Sequence, residues 1–306
     1  MNQATFTAST KASRAQNLSH CGLRNLLISI FAISAFAGCL SSGEERWDID
    51  SSQHEALNFN ALNFNALNFN ALSSGTLGED TVLLNEQSAG NLAETEMGRQ
   101  LLRYIAGCAL PEGDYLRVTA GDEIWDYPGR LAVAPSWVNQ PLDDSQRQAM
   151  SACLMAHVNF YEVPVQISLR SDLLPSAEAE ESARFFYGDG AFYGDLTGDS
   201  PRKYACKIRS NDFEDPTTGE LTPANSPDAK LRICAGEDTA ADCGFEFTGY
   251  CDEVCGSITA DGDQWRFSAC SGSDGKVYSE VFSVYLEGES AESCDTAPAG
   301  FTCDPR

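Results

Sequence analysis

Ten of the twelve cysteines constrain this 306-residue chain more than any other feature: Cys108, Cys153, Cys206, Cys234, Cys243, Cys251, Cys255, Cys270, Cys294 and Cys303, all beyond the first 40 residues that hold Cys21 and Cys39. In an oxidising compartment an even set of this kind predicts five disulfides, with pairing that spacing alone leaves open. Cys108 and Cys153 fall on the apolar faces of two predicted helices and are expected to bridge. Zinc is the weaker use of these thiols. Cys251-x3-Cys255 has no second cysteine pair or histidine at a suitable distance. Cys153-x3-His157 sets a thiol and an imidazole on one helix face, and reads as a disulfide cysteine beside a packed histidine.

The compartment is read from the other end of the chain. Residues 1–38 carry Lys11, Arg14 and Arg24 and no acidic residue, and close on the apolar run Leu26–Ala37. A dozen apolar residues are too few to span a bilayer, which takes roughly 20. A positive leader, a short apolar core and small terminal residues make a secretory signal. Its last residues, Phe36-Ala37-Gly38-Cys39, resemble the lipobox of bacterial lipoproteins. The resemblance implies cleavage between Gly38 and Cys39 and a diacylglycerol on the Cys39 thiol, with Phe36 where that motif prefers Leu. Two or more acyl chains anchor firmly, where one holds weakly. Leu40 replaces the Asp that marks inner-membrane retention, so the resemblance implies an outer-membrane or cell-surface location.

Cleavage there removes three of 20 basic residues and none of 45 acidic ones, taking the net charge from −25 to −28. Such a polyanion is repelled by nucleic acid, whose binding depends on Lys and Arg, and no nucleic-acid partner is expected. The lipid-held membrane is the expected partner, with a protein or a glycan as a further one.

Residues 39–90 read as a polar tether. Within it Ala56-Leu57-Asn58-Phe59-Asn60 repeats at 61–65 and 66–70 and trails off at Ala71-Leu72. A period of five matches neither strand nor helix, so no regular element collects its apolar residues on one face. The Asn-Phe unit resembles the pentapeptide-repeat pattern, but three units make less than one coil and repeat folds need neighbours. A docking or self-association motif is the other reading, since Asn-rich aromatic repeats pair through β-contacts.

From residue 91 to 306 a globular α+β domain is expected, helical first and then disulfide-stapled and mostly antiparallel β, with a sub-boundary near 172–182 as an option. Apolar periodicity predicts a helix over 95–110, and Asp143 with Gln146 caps a second over 144–160. Strands are predicted at 115–120, 123–127, 163–169, 203–208, 230–235, 244–250, 264–269 and 276–285, with a tight turn at Asp274-Gly275. No Walker loop, HExxH or GxSxG motif occurs. The segments YIAGCALP (104–111), LAVAPSW (131–137), SACLMAHVN (151–159), VPVQISLR (163–170) and GAFYGDL (190–196) loosely resemble uncharacterised cysteine-rich lipoproteins of myxobacteria, a resemblance that implies no activity.

Candidate ligand residues lie in Phe186-Tyr187-Gly188-Asp189 and its echo Phe192-Tyr193-Gly194-Asp195, followed by Asp199. Glycines beside aromatics and carboxylates suit a sugar-stacking platform with Tyr187 and Tyr193. Asp189, Asp195 and Asp199 suit a calcium loop of oxygen ligands, without the EF-hand spacing. The plainer reading is two Gly-Asp turns with aromatics packed inward. Asp261-Gly262-Asp263 reads as a hairpin turn. Glu178, Glu180, Glu181 and Asp189 are the carboxylates a glycosidase pair would draw on, and His157 is the one histidine of the globular part. The expected role is a lipid-anchored, non-catalytic binding or structural module. The rival is a tethered hydrolase acting on glycan or peptide. Facing carboxylates in a cleft favour the rival; a filled interior with His157 against Cys153 argues against it.

Overall fold

The three longest helices begin where polar side chains satisfy their first backbone N–H groups. In the computed structural model, Asn85 accepts from Ser88 N to cap α1 (Glu86–Ala93), and Thr95 accepts from Gly98 N to cap α2 (Glu96–Ala109). Asp143 and Gln146 form the reciprocal capping box of α3 (Asp144–Ala156). The structure describes residues 57–60, 83–197, 200–209, 212–214, 221–223, 226–261 and 264–288. Gly38, Cys39, Asp199, Cys294, Cys303 and the second and third ALNFN repeats lie outside these.

α1 and the buried Leu84 put packed structure ahead of residue 91, where it was expected to start. That segment is polar on the outside and buries only Ala89, Leu92 and Ala93, so its apolar signal is thin. α3 stops at His157 instead of reaching Phe160. There Asn159 accepts from Tyr161 N and donates to Val163 O, which folds the chain into a turn.

The strands follow in chain order. β1 (Leu57–Asn60) precedes the helices. β2 (Tyr115–Ala120) and β3 (Glu123–Pro128) form the expected hairpin, turning through Gly121 at φ +62°. β4 (Val165–Arg170), the short helix α4 (Ala179–Arg184), β5 (Tyr187–Asp195) and β6 (Arg202–Lys207) come next. A small hairpin of β7 (Asp212–Glu214) and β8 (Leu221–Pro223) leads to β9 (Glu246–Tyr250) and the single turn α5 (Cys251–Val254). β10 (Cys255–Asp261), β11 (Gln264–Ser271), β12 (Val277–Tyr278) and β13 (Phe282–Leu286) complete the set.

Six strands make the main sheet, in the order β1-β4-β13-β5-β6-β9, antiparallel except between β6 and β9. β10, β11 and β12 form a second, antiparallel sheet. The fold is α+β, with helices concentrated early and antiparallel strands late. Both parts share one core: Leu101, Leu102 and Ile105 of α2 and Leu154 of α3 cluster with Ile167, Phe192, Phe282 and Val284. On the reverse face Ala191, Tyr193, Tyr204 and Tyr285 pack with Phe267 and Tyr278.

Two local expectations fail. Residues 230–235 are not a strand, because the Cys234–Cys243 bridge closes a nine-residue loop there and Thr239 donates its hydroxyl to the Ile233 carbonyl. The Phe-Tyr-Gly-Asp pair forms no turns: it is the continuous strand β5, buried on both faces. A Cβ on Gly190 would lie 2.3 Å from the Ala235 Cβ, and one on Gly188 2.4 Å from the Ile208 Cγ2. These glycines admit close neighbours rather than bends.

Four bridges staple the described residues: Cys108–Cys153, Cys206–Cys251, Cys234–Cys243 and Cys255–Cys270. The first joins α2 to α3, as expected. The last links directly opposed residues of β10 and β11.

Candidate functional site

Among the described residues, charge sits deep in the fold at two places. At the first, α3 ends against β5. Its terminal carbonyls lack helical N–H donors, and Arg232 supplies them: Nη2 to Ala156 O at 2.8 Å and Nη1 to Val158 O at 2.7 Å. The same guanidinium donates Nε to Asp189 Oδ2 at 2.6 Å and lies over the Phe192 ring. Lys207 Nζ stands 3.8 Å from the other Asp189 oxygen. Burial pulls the Arg232 pKa below its ordinary value, and Asp189 pushes it back up. Asp189 therefore acts as the counter-charge of a helix-end clamp.

At the second place β4, α4 and the β10–β11 hairpin converge on Arg170. Its Nη1 lies 3.1 Å from Glu181 Oε1, its Nη2 donates to Gln264 Oε1 at 2.8 Å, and its Nε is 3.5 Å from Asp261 Oδ2. Ser168 donates its hydroxyl to Glu181. Arg266 donates Nε to Asp261 Oδ2 at 2.9 Å, and Ala177 N donates to Asp261 Oδ1. Gln264 Nε2 bridges the Ser182 and Phe185 carbonyls at 2.6 and 2.7 Å, which seats the hairpin on α4. Two arginines thus face two carboxylates, and the charges cancel inside the fold. A buried carboxylate so engaged is a joint, and losing one partner strands the other's charge.

His157 caps α3. Its Nδ1 is 2.8 Å from the Cys153 carbonyl, and its ring packs on Tyr104 at 5.2 Å between centroids. Burial, with the nearby Arg232 and Arg130 charges, lowers its pKa to about 4 against the upward pull of the Cys153 carbonyl, so the ring is neutral near pH 7. The Cys108 and Cys153 sulfurs and the imidazole lie within 4.8 Å of one another, a grouping with metal-ligand character. In the oxidised protein both sulfurs are spent on the disulfide.

The expected ligand residues do not converge. Asp189 belongs to the clamp. Tyr193 is buried, its hydroxyl sharing a hydrogen bond with Thr248 Oγ1 at 2.7 Å and donating to Ser271 O at 3.0 Å, and burial pushes its pKa up to about 12. Tyr187 is partly buried under Lys207. Asp195 accepts from its own neighbour Thr197. Asp189 and Asp195 stand six residues apart on an extended strand, about 20 Å, so they share neither one calcium ion nor one sugar. Asp189 and Asp195 therefore form no shared calcium loop, and with Tyr193 buried they frame no sugar platform. Of the glycosidase candidates, Glu178 precedes α4 as its N-cap residue and Glu180 and Glu181 lie in its first turn, with Glu181 alone buried.

Sequence reading missed Arg170, Arg232, Asp261 and Gln264 as site residues. Arg170 follows Gln166 and Ser168 on the polar side of an alternating strand, the pattern of a solvent face. α4 and the β10–β11 hairpin cover that face, and only the tertiary fold reveals the cover. No protein-family model matches the chain, and neither curated proteins nor solved structures show significant similarity to it.

Proposed function

We propose that the chain is a lipid-anchored envelope protein whose disulfide-tied domain is a non-catalytic binding or structural module. The observation that carries the reading is the engagement of its buried ionisable groups. Asp189, Glu181 and Asp261 each meet an arginine, and His157 is neutral against a disulfide and a tyrosine ring. Groups poised for acid–base work are instead held near a reacting atom with a pKa tuned to the working pH. A pKa near 4 on a packed ring fits support of the α2–α3 joint. Anchoring is supported by the lipobox resemblance at Phe36–Cys39 and by the four bridges, which suit an exported chain. Among the described residues, no helix is long and apolar enough to cross a membrane.

Fractionation of bacteria expressing the full chain tests the anchor. The natural protein is expected in the membrane fraction, and Cys39→Ser in the soluble one. Retention of Cys39→Ser in the membrane would refute lipid attachment.

A further inference from the structure

The first LNFN tetrapeptide is no part of a free tether: it is β1, the edge strand of the main sheet. Among the described residues its one strand partner is β4, in the register Leu57↔Ser168, Asn58↔Ile167, Phe59↔Gln166 and Asn60↔Val165. The opposite side of β4 is taken by β13. A strand edge offers unpaired N–H and C=O groups to any extended segment of suitable sequence. This chain contains three such segments. Residues 57–60, 62–65 and 67–70 are all LNFN, and each is flanked by alanine on both sides.

We propose that the outer edge of β4 is a strand-docking slot whose occupant is any one of the three LNFN copies of the same chain. A one-residue slip of a strand turns every side chain to the wrong face. A five-residue slip does so as well, unless the repeat restores each side chain at its place. Here it does: Leu62 or Leu67 replaces Leu57, and Phe64 or Phe69 replaces Phe59. The three docked states present the same residues to β4, so pairing energy does not separate them.

Reach permits all three. With the last copy docked, residues 71–82 remain to reach Leu83 and span up to about 40 Å. A domain of this size has a radius of gyration of about 16 Å. A linker of this length holds a copy at an effective concentration in roughly the millimolar range. A second molecule must approach against the repulsion of chains carrying −25 each. Both terms favour an occupant from the same chain. On the anchored reading above, the docked copy sets the free length from Cys39 to the domain in five-residue steps; the slot itself does not depend on that reading.

Hydrogen exchange over residues 163–170 of the full chain tests the slot, with residues 264–271 as a reporter of the global fold. Deleting residues 56–60 should leave exchange within about twofold of the natural chain, because another copy docks. Deleting 56–70 should speed it by roughly tenfold or more, and added peptide ALNFNA should restore protection. If that deletion also exposes residues 264–271, replacing each LNFN by Gly-Ser-Gly-Ser keeps the length and carries the same expectation. Exposure of β4 after deletion of 56–60 alone would overturn interchange. Unchanged exchange after deletion of 56–70 would overturn the slot. Protection that survives deletion of 56–60 but vanishes on dilution would assign the occupant to a second molecule and overturn docking within one chain.

Discussion

Arg232 donates to Asp189 at 2.6 Å while two of its other nitrogens hold the carbonyls of Ala156 and Val158. One guanidinium thereby fixes the end of α3 to the centre of the main sheet. The pair lies beside His157 and within one turn of the Cys108–Cys153 bridge, so the α2–α3–β5 junction combines a disulfide, an ion pair and a neutral imidazole.

The bridge in that junction closes a loop of 45 residues. A loop of that length contributes about 4 kcal/mol through the entropy of the unfolded chain. The double variant Cys108→Ala/Cys153→Ala should lose stability of this order in urea unfolding. Peptide mapping without reductant should recover the 108–153, 206–251, 234–243 and 255–270 links in the natural protein.

His157 gives stability a pH dependence of known sign. Its folded pKa of about 4 lies below the ordinary 6.5, so the unfolded chain binds the extra proton first as pH falls. The contribution is complete above pH 6.5 and is lost progressively toward pH 4, up to about 3 kcal/mol. His157→Asn retains an amide N–H for the Cys153 carbonyl and has no proton to gain. Its unfolding midpoint should fall less between pH 7 and pH 4.5 than that of the natural chain, measured in the same urea series.

Gly190 is placed for close approach. A methyl group there meets the Ala235 Cβ at 2.3 Å and the Cys206 carbonyl oxygen at 2.8 Å. Gly190→Ala is expected to cost about 1–3 kcal/mol of stability. Gly107→Ala, where the added methyl meets nothing within 4 Å on a helix, is the matched control and should be neutral or mildly stabilising.

The sequence shows some of this clearly and some not at all. Capped amphipathic helices at 96–109 and 144–156 and the 115–128 hairpin are legible because each is specified by its own residues. So is the 108–153 bridge, since both cysteines sit on helix faces turned to the core. β5 is not legible: glycine composition signals turns, and only the proximity of Ala235 and Ile208 explains glycine inside a strand. The Arg170 cluster is hidden for a related reason. Its strand alternates as though one face met water, whereas residues far along the chain, Asp261 and Gln264, cover it. β1 is hidden because a five-residue period favours no regular element until β4 provides an edge.

The central claim is that the buried charges hold the fold together rather than carry out a reaction. A double-mutant cycle on Asp189 and Arg232, read by urea unfolding, tests it most directly. Asp189→Asn and Arg232→Met should each cost about 3–5 kcal/mol, because each leaves a buried group without its partner. The double variant should cost clearly less than the sum of the two. Additive losses, or single variants as stable as the natural protein, would contradict the account.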